Sequence, residues 1–417
     1  MKTRAVTNLK CWLMVMAMCV PLQQVYADLL IPGISGVIGV QGSDGDLLPT
    51  DNITIDLSLA KDGNWDSPGD GNGVYDRSKW AVVFKYNSID IPTGTTVTFT
   101  NHPSGAPVVW LVTGPVDIVG SVQLNGQTGV ASIRWPTTPG PGGFPGGTGR
   151  YSTMLSGSGG YGPGGGRSNH DDHGSYATTG GGNVPGHKYG HPRILPLIGG
   201  SGGSGESGRA YSGGAGGGAL LIVCSQTINN AGSIQARGGS RAGSAGTGSG
   251  GAIRLIADTI SGGGSIYADS LYVGGLGRIR LETLNYTGSH FTVPEVAINA
   301  PDDPIQIWLP EAAPTVRVQS VGNQAIAADA DVIGSPLTGS TDYQLDNQAL
   351  VNIVLEARNV TQDATVRVRI VKLYGVPLEV TALYSSGTDA LSTWTANDVN
   401  LPLGTFTIQA QAINPIQ

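Results

Sequence analysis

The sequence has little cysteine and little charge for its length. Only 3 of 417 residues are cysteine, and only 13% are charged. Cys11 and Cys19 lie in an N-terminal segment with the features of a leader, so the mature chain keeps only Cys224. One cysteine excludes an intramolecular disulfide, and packing or bound ions must stabilise the exported protein instead. Cys224 closes an apolar strand and is interpreted as a buried packing residue.

Sequence features typical of nucleic-acid binding, phosphate binding and thiol redox chemistry are also absent. The formal charge is −7 and no basic cluster offsets it, so we expect no binding of nucleic acid. The sequence contains neither a phosphate-binding lysine loop nor a CxxC pair. These absences leave enzymatic chemistry with little support.

The N-terminal residues 1–27 have the three parts of a signal peptide. The positive residues come first and are Lys2, Arg4 and Lys10. An apolar run at residues 11–22 follows, and small residues precede a cleavage position after Ala27. The run is shorter than the roughly 20 residues that span a bilayer, so a retained anchor is the less favoured alternative. We expect export to the extracellular space, the cell surface or the periplasm, with no transmembrane segment in the mature chain.

Glycine accounts for 66 residues, and its positions reveal an internal repeat. One element has the form Gly-Ser-aliphatic-x-small and occurs at residues 120–124, 232–236 and 264–268. A second element is a short apolar strand, which occurs at residues 108–112, 218–223, 251–256 and 277–282. Each unit therefore consists of an apolar strand, a turn, a strand with the Gly-Ser signature and a glycine-rich loop.

A unit with two such short strands cannot bury its apolar side chains alone. Stacking successive units in parallel places their aliphatic residues in one continuous interior. We therefore predict an all-β protein built around a right-handed parallel β-solenoid over residues 106–292. Alternation along one strand predicts Ile253 and Leu255 inside, with Arg254 and Ile256 outside. An antiparallel sandwich with chance similarity between its strands is the alternative.

A long glycine-rich insertion, residues 126–218, interrupts the repeats. Composition alone would make it a flexible linker. It contains, however, apolar side chains that a disordered spacer would leave without a function: Trp135, Phe144, Tyr151, Leu155, Tyr161 and residues 194–198. We predict a compact, loop-rich layer on one face of the solenoid, with extended polyglycine segments side by side.

Strands are also predicted on either side of the repeats. Residues 28–105 contain an acidic loop and three strands, at residues 53–57, 80–86 and 95–99. Residues 315–417 are poor in glycine and contain strands at residues 315–321, 351–357, 365–371, 378–383 and 405–410. Their spacing predicts an immunoglobulin-like β-sandwich without the paired cysteines of antibody domains. Residues 293–314 are predicted to be the connection.

The glycine-rich motifs also carry a family resemblance. They include DGNWDSPGDGNGVYD at residues 62–76, PVVWLVTGPVDIVGSVQLNG at 107–126 and AGSIQARGG at 231–239. In these motifs the chain resembles a set of glycine-rich proteins exported by environmental bacteria. That resemblance implies export and a solenoid-like body, and it implies no particular activity. The repeats are also similar in style to the β-helical segments of surface adhesins and to the pectate-lyase-like fold.

The acidic loop is a candidate site for calcium. Carboxylate and amide oxygens alternate in it with glycines that allow a tight wrap, as a hard cation requires. The preferred ligands are Asp66, Asp70, Asn72 and Asp76, with Asp62 and Asn64 as further candidates. The spacing is not that of an EF-hand, because no Glu stands at the closing position. The alternative is a solvated turn whose side chains cap their own backbone.

Two histidine pairs in the insertion are a second candidate metal site. They are His170 with His173, and His187 with His191, and the first pair encloses two carboxylates. Imidazole and carboxylate ligands suit zinc or another borderline metal. Both pairs lie on predicted loops, where spacing does not fix geometry. Surface loops that merely contain histidine are therefore the alternative.

The sequence favours a structural role over catalysis. A lyase on a solenoid would need carboxylates holding calcium beside a basic residue, and Asp258 and Glu282 are the few acidic residues near the strand arginines. We interpret Arg254, Arg278 and Arg280 as a surface salt-bridge ladder. We therefore expect a secreted or cell-surface adhesive protein whose partners are glycans or other cell-surface components. A calcium-dependent polysaccharide-degrading enzyme and an extracellular metal-binding protein are the alternatives.

Overall fold

The structure is a computed structural model that describes residues 42–132, 135–168, 170–302, 305–326 and 340–413. The predicted signal peptide, residues 1–27, lies outside these ranges. The described chain is all-β, and its helical content is one short 3-10 turn at Leu57–Leu59. Within the described ranges, no helix has the length and apolar character needed to cross a membrane.

Two sheets run through the first two thirds of the described chain. The first sheet contains β1 (Ile53–Asp56), β6 (Thr96–Thr100), β9 (Ser121–Gln123), β11 (Ser233–Gln235), β13 (Ser265–Tyr267) and β15 (Phe291–Val293). The second sheet contains β2 (Lys61–Asp62), β3 (Val74–Asp76), β4 (Ala81–Tyr86), β5 (Ile89–Ile91), β7 (Val108–Val112), β8 (Val116–Ile118), β10 (Ala219–Asn230), β12 (Ala252–Ser261), β14 (Arg278–Tyr286) and β16 (Ile298–Asn299). The first sheet is parallel throughout. The second is mixed, because β3 and β4 are antiparallel while its other pairs are parallel.

The repeated segments pair with each other in parallel and in register. In the first sheet, Ile234 of β11 lies opposite Val122 on one side and Ile266 on the other. In the second sheet, Ile222 of β10 lies opposite Leu255 of β12. All five side chains are fully buried and belong to one hydrophobic cluster. Equivalent positions of successive repeats therefore fill a common core.

The strands that precede the repeats continue the same two sheets. Strand β4 pairs in parallel with β7, and β6 pairs in parallel with β9. Phe84 of β4 lies opposite Trp110 of β7, and both side chains are buried. The N-terminal strands and the repeats therefore share one core.

The central strands of the second sheet, β7, β10 and β12, are buried on both faces over their apolar runs, which strand alternation did not predict. Arg254 and Ile256 were expected outside, yet both are as buried as the inward-facing Ile253. The segment after β16 covers this outer face, since the carbonyl of Gln306 accepts a hydrogen bond from Arg254 and Ile307 joins the core. A parallel sheet covered on both faces contains near-continuous apolar runs. Burial on both faces therefore explains why the sequences of β7, β10 and β12 are nearly continuously apolar and do not alternate.

The glycine-rich insertion folds into extended segments that lie side by side, and we call this assembly the bundle. Along each segment, every third backbone amide points to the same neighbouring segment. The segment at residues 199–206 shows the pattern. Toward one neighbour, the amides of Gly200, Gly203 and Glu206 donate to the carbonyls of Gly217, Gly214 and Tyr211. Toward a second neighbour, the amides of Gly202 and Gly205 donate to Tyr161 and Ser158, and toward a third, Ser204 donates to Asp172. A three-residue period is that of a polyproline-II-type chain, which has no internal hydrogen bonds and leaves each amide free for a neighbour.

Close packing between these segments requires glycine. A Cβ atom added to Gly216 would overlap the carbonyl oxygen of Gly200, and one on Gly246 would overlap that of Asp172. Both glycines are fully enclosed by backbone of neighbouring segments. The glycine content of the insertion is therefore a packing requirement, because any side chain would separate the segments that hydrogen-bond to each other.

The apolar residues of the insertion divide into two groups. Buried members join the core of the two sheets, and they are Phe144, Tyr161, Tyr176, Tyr189, Ile194, Leu197 and Ile198. Trp135, Tyr151 and Leu155 were grouped with them in the predicted layer, but these three side chains are exposed. They lie in loops between the extended segments, and the ring centre of Tyr151 lies 5.7 Å from that of Tyr374 in the C-terminal domain.

The remaining strands form an antiparallel domain with its own core. They are β17 (Thr315–Val321), β18 (Gln324–Ala325), β19 (Ser340–Leu345), β20 (Ala349–Arg358), β21 (Thr365–Lys372), β22 (Leu378–Thr388), β23 (Leu391–Leu401) and β24 (Gly404–Ile413). Strand β22 is shared, because residues 378–382 pair with β21 whereas residues 383–388 pair with β23. Leu355, Val368 and Trp394 are among the residues of a hydrophobic cluster distinct from that of the two sheets.

A buried arginine joins this domain to the glycine-rich bundle. Arg369 of β21 is 3% exposed, and its two terminal nitrogens donate to the carbonyls of Gly160, Gly162 and Gly166 at 2.8 to 2.9 Å. Nearby, the hydroxyl of Thr148 donates to the carbonyl of Leu373. The arginine supplies the donor for the Gly160 carbonyl and second donors for those of Gly162 and Gly166, which also accept the amides of Gly165 and Gly160, where one extended segment turns back on itself.

Candidate functional site

The acidic loop is organised mainly by hydrogen bonds that its backbone amides donate to two buried carboxylates. Asp76 accepts from the amides of Trp65 and Ser78, at 2.9 and 2.8 Å. Asp44, which precedes the loop and was not among the predicted site residues, accepts from the amides of Gly71 and Gly73, both at 2.9 Å. Both acids are buried and cap backbone amides of the loop or its flanks.

The other predicted calcium ligands are dispersed over the loop surface. Asp70 forms an ion pair with Lys61. The remaining four are exposed, and they are Asp62, Asn64, Asp66 and Asn72. For Asp76, the arrangement corresponds to the capped turn that was the alternative to a calcium site.

The histidine pairs are not brought together. His173 is buried in the bundle, where its Nδ1 atom accepts a hydrogen bond from the amide of Thr247 at 2.8 Å, whereas His170 is exposed. His187 lies 3.4 Å from a carboxylate oxygen of Glu379, and His191 accepts from the amide of Arg193. Among the described residues, no three His, Cys, Asp or Glu side chains are grouped closely enough to hold a metal ion.

Burial lowers the pKa of three of these imidazoles. For His173, desolvation outweighs the opposing effect of Asp171, and the pKa falls below its usual value. Desolvation is also the largest cause of the lowered pKa of His187 and of His191. Neutral imidazole fits the role of His173, because a protonated Nδ1 atom could not accept the amide of Thr247.

Arg254 and Arg280 form a largely buried cluster with Glu282 and not the predicted surface ladder, whereas Arg278 donates to the carbonyls of Tyr189 and Gly190. Arg254 and Arg280 lie opposite each other on β12 and β14. One carboxylate oxygen of Glu282 accepts from the Nε atoms of both, at 2.7 and 2.6 Å. Arg254 and Glu282 are almost completely buried, because the segment containing Gln306 covers them. This cluster holds the covering segment on the sheet, a role that strand alternation did not reveal.

Cys224 lies at the end of the apolar part of β10, where it is fully buried. Burial raises the pKa of its thiol to about 11. A thiol with such a pKa is almost entirely protonated at neutral pH and is a poor nucleophile. The environment of Cys224 agrees with a packing role.

Exposed apolar side chains gather in the loops at one end of the bundle. We call these the distal loops: residues 131–132, 135–136, 150–156, 170–171, 207–211, 241–244 and 271–273. Contacts join them, and they are a bridge between Ala131 and Tyr211, hydrogen bonds from the Arg150 amide to the carbonyls of Glu206 and Arg209, and an ion pair of Arg241 with Asp171. The loops therefore form one continuous surface, whose segment 150–156 also contacts the C-terminal domain, since the amide of Gly375 donates to the carbonyl of Ser156.

The distal loops expose large aromatic and aliphatic side chains. Trp135 is 64% exposed, Met154 91% and Tyr272 68%. Arginines lie beside the aromatic rings, with the guanidinium of Arg241 5.5 Å from the ring centre of Tyr272. Such separations allow cation–π attraction, which restrains both side chains. Trp135, Tyr151 and Leu155 were predicted to lie in the packed layer, because the sequence does not separate the extended segments from the loops that join them. Met154 and Tyr272 were not singled out.

No protein family, no curated protein and no solved structure matches the chain. The distal loops are therefore interpreted from their own geometry and chemistry.

Proposed function

We propose that this chain is an exported, non-catalytic adhesion protein that contacts a protein on a cell surface through its distal loops. In this proposal, residues 106–292 form a right-handed parallel β-solenoid and residues 315–413 form an immunoglobulin-like sandwich. The parallel, in-register repeats support the solenoid. The antiparallel strands that share β22 support the sandwich. The signal-peptide features of residues 1–27 and the resemblance to exported glycine-rich bacterial proteins support export.

The observation that carries the proposal is the concentration of exposed apolar side chains on the distal loops. Contiguous apolar surface of this kind is costly in water and marks interaction sites. Loops held by a rigid framework are the usual position of binding residues. Here the framework is the glycine-rich bundle, which Arg369 fixes to the C-terminal domain and whose apolar residues are anchored in the core.

The chemistry of the loops favours a protein partner. Tryptophan, tyrosine, methionine and arginine are enriched in protein interfaces, and the loops present Trp135, Tyr272, Met154 and Arg241. The loops also contain serine and glycine beside these aromatic residues, a combination that gives antibody loops rigid anchors and adaptable hydrogen bonds.

The test is the binding of the fluorescently labelled mature chain to cells of the organism that encodes it. The variant combines Trp135→Ala, Met154→Ala and Tyr272→Ala. The matched control combines Leu350→Ala and Leu403→Ala, which remove two equally exposed apolar side chains from the C-terminal domain. We expect about a tenfold or greater loss of affinity for the variant and no change for the control.

Pretreatment of the cells identifies the partner. Trypsin should abolish binding, whereas periodate, which cleaves sugar rings, should leave it unchanged. Loss of binding after periodate alone would make the partner a glycan and overturn the choice of a protein. Equal binding by variant and wild type, or no binding by the wild type, would remove the distal loops from the function. Release of reducing ends from a polysaccharide by the pure chain would refute a non-catalytic role.

A further inference from the structure

A groove lies where the first sheet meets the first glycine-rich segments. Its volume is about 500 Å³, within the range of small-molecule and oligosaccharide sites. Strands β6 and β9 form one wall, and residues 138–141 form the other. The lining residues are Thr98, Phe99, Thr100, Asn101, Gln123, Leu124, Asn125, Gln127, Thr138, Pro139, Gly140 and Pro141.

The groove contains no charged side chain among these lining residues. Its polar groups are carboxamides and hydroxyls, provided by four Asn or Gln residues and three threonines. A carboxamide offers a donor and an acceptor in one plane, so it can bond to two neighbouring hydroxyl groups of a ligand. Because the walls carry no formal charge, they offer an anion or a cation no compensating partner for its lost hydration.

Three of the carboxamides are already held in place by one hydrogen bond each. The Nδ2 atom of Asn101 donates to the carbonyl of Pro139 at 2.8 Å. The Oε1 atom of Gln127 accepts from the amide of Thr138 at 2.8 Å. The Nε2 atom of Gln123 donates to the hydroxyl of Ser121 at 3.2 Å. Each side chain is thus restrained through one end of its amide.

The other end of each amide is available to a ligand. Among the described residues, no partner bonds to Oδ1 of Asn101, Oε1 of Gln123 or Nε2 of Gln127. The groove therefore offers two restrained acceptors, on Asn101 and Gln123, and one restrained donor on the exposed Gln127. Side chains that are restrained before binding lose little conformational entropy when a ligand arrives.

An apolar surface accompanies these polar atoms. Phe99 is half-buried, with its ring centre 6.1 Å from that of Trp110 in the core, so its position is fixed from behind. Pro139 and Pro141 lie across from it in the lining. A sugar ring has hydroxyl groups at its edge and C–H groups on its faces, and it needs both kinds of contact.

We infer that this groove binds a short, uncharged oligosaccharide. The fixed carboxamides would bond to the hydroxyl groups, and Phe99 with the prolines would cover a ring face. Two further positions extend the polar strip along the sheet, since Gln235 lies opposite Gln123 on one side and Tyr267 on the other. A glycan that continues out of the groove would cross strands at their spacing of about 4.8 Å. The groove shares no lining residue with the distal loops, and its proposed ligand differs from their partner.

The experiment measures the affinity of the mature chain for soluble oligosaccharides by titration calorimetry. The neutral probes are cello-, xylo-, manno- and chito-oligosaccharides, and the charged comparison is oligogalacturonate. We expect a dissociation constant between about 10 μM and 1 mM for at least one neutral probe. We expect no measurable binding of oligogalacturonate. A preference for oligogalacturonate, or no binding of any neutral probe at 10 mM, would overturn the inference.

Two variants locate the binding. Asn101→Ala with Gln127→Ala removes two fixed carboxamides, and we expect binding to weaken about tenfold or more. The matched control is Gln348→Ala, an exposed carboxamide of the C-terminal domain that bonds to Asn400. Unchanged affinity in the groove variant would refute the site. Should that variant unfold, Thr100→Arg at the exposed rim places bulk and charge in the groove and should abolish binding.

The distal-loop variant separates this inference from the proposed function. That variant should bind the neutral probe with wild-type affinity and fail to bind cells. Loss of both activities in the distal-loop variant would refute an independent groove site. A groove variant that still binds cells would leave the proposed function intact.

Discussion

Arg369 and Glu379 lie opposite each other on β21 and β22, with 3.6 Å between Nε of the arginine and Oε1 of the glutamate. Burial lowers the pKa of Arg369 to about 10, so the guanidinium stays charged at neutral pH. Burial alone would raise the pKa of Glu379, but Arg369 and Arg167 hold it below its usual value. The charged arginine is therefore balanced on its own sheet while its other nitrogens bond to glycine carbonyls of the bundle.

Replacing Arg369 by leucine should loosen the contact between the bundle and the C-terminal domain. The change removes the side-chain donor of the Gly160 carbonyl and one of two donors to the carbonyls of Gly162 and Gly166, which also accept backbone amides. Glu379 keeps its ion pair with Arg167. Removing one member of a buried pair costs about 3 to 5 kcal/mol when the other is left unpaired, so the remaining pair places this loss toward the lower end. We expect a loss of that order in the free energy of unfolding, measured by denaturant titration. Arg358→Leu removes an exposed arginine from an ion pair and should cost less than about 1 kcal/mol. Similar costs for the two variants would contradict the joining role.

A single methyl group should disrupt the bundle at Gly216. A Cβ there overlaps the carbonyl oxygen of Gly200, so Gly216→Ala must push two segments apart. We expect faster hydrogen exchange at the amides of residues 199–206 and a loss of several kcal/mol, as overpacking typically costs about 1 to 3 kcal/mol and broken hydrogen bonds add to it. Gly208→Ala is the control, because its Cβ would meet only a side-chain oxygen 3.7 Å away. Exchange within seconds in the wild type would refute the ordered bundle itself.

Acid should weaken the protein through its buried histidines. Desolvation lowers the pKa of His173 below the value near 6.5 that it has in the unfolded chain. The unfolded chain then binds a proton more readily than the folded chain does. The contribution of neutral His173 to the free energy of unfolding is therefore complete above about pH 6.5 and is lost as the pH falls toward the folded-state pKa. His173→Asn keeps an acceptor for the Thr247 amide and removes the titration. We expect the variant to lose less thermal stability than the wild type between pH 7 and pH 5. Equal losses would exclude His173 as a source of acid sensitivity.

The response of the melting temperature to calcium decides whether the acidic loop is a capped turn or a calcium site. Asp76→Ala removes the acceptor of several loop amides and should cost about 2 kcal/mol, with the same loss in 1 mM calcium and in chelator. Asp66→Ala removes an exposed carboxylate and should cost little in either condition. The calcium hypothesis instead requires a wild-type melting temperature that rises with calcium and a rise that Asp66→Ala abolishes.

Much of the strand content could be predicted because β strands leave a local pattern. The Gly-Ser-aliphatic repeats predicted the parallel register that pairs Ile234 with Ile266. In the C-terminal domain, the clearly alternating strands were predicted within a few residues of their bounds. Strands β19 and β23 were not predicted. Polar residues interrupt their alternation at Asp342–Gln344 and at Asn397–Asn400, and the strands that pair with them lie far away in the sequence.

The candidate site could not be predicted because its determinants are not local. The three-residue hydrogen-bond period leaves no pattern in the sequence other than glycine itself. Because glycine has no side chain, there is no alternation of polar and apolar residues from which the period could be predicted. Whether Trp135 or Phe144 is buried depends on which of them lies in a loop between segments, and Trp135 lies in such a loop. The burial of Arg254 depends on a segment about fifty residues later in the chain, where Gln306 covers it.

The three-residue period restricts how the bundle can change length in evolution or by design. Inserting three residues into each of two adjoining segments would restore the direction of every amide and extend the pair by about 9 Å, at about 3.1 Å per residue. Inserting one or two residues would rotate the donors away from their acceptors. Related chains should therefore differ in these segments by multiples of three, and an engineer can alter the reach of the loops in the same increments while leaving the anchoring residues unchanged.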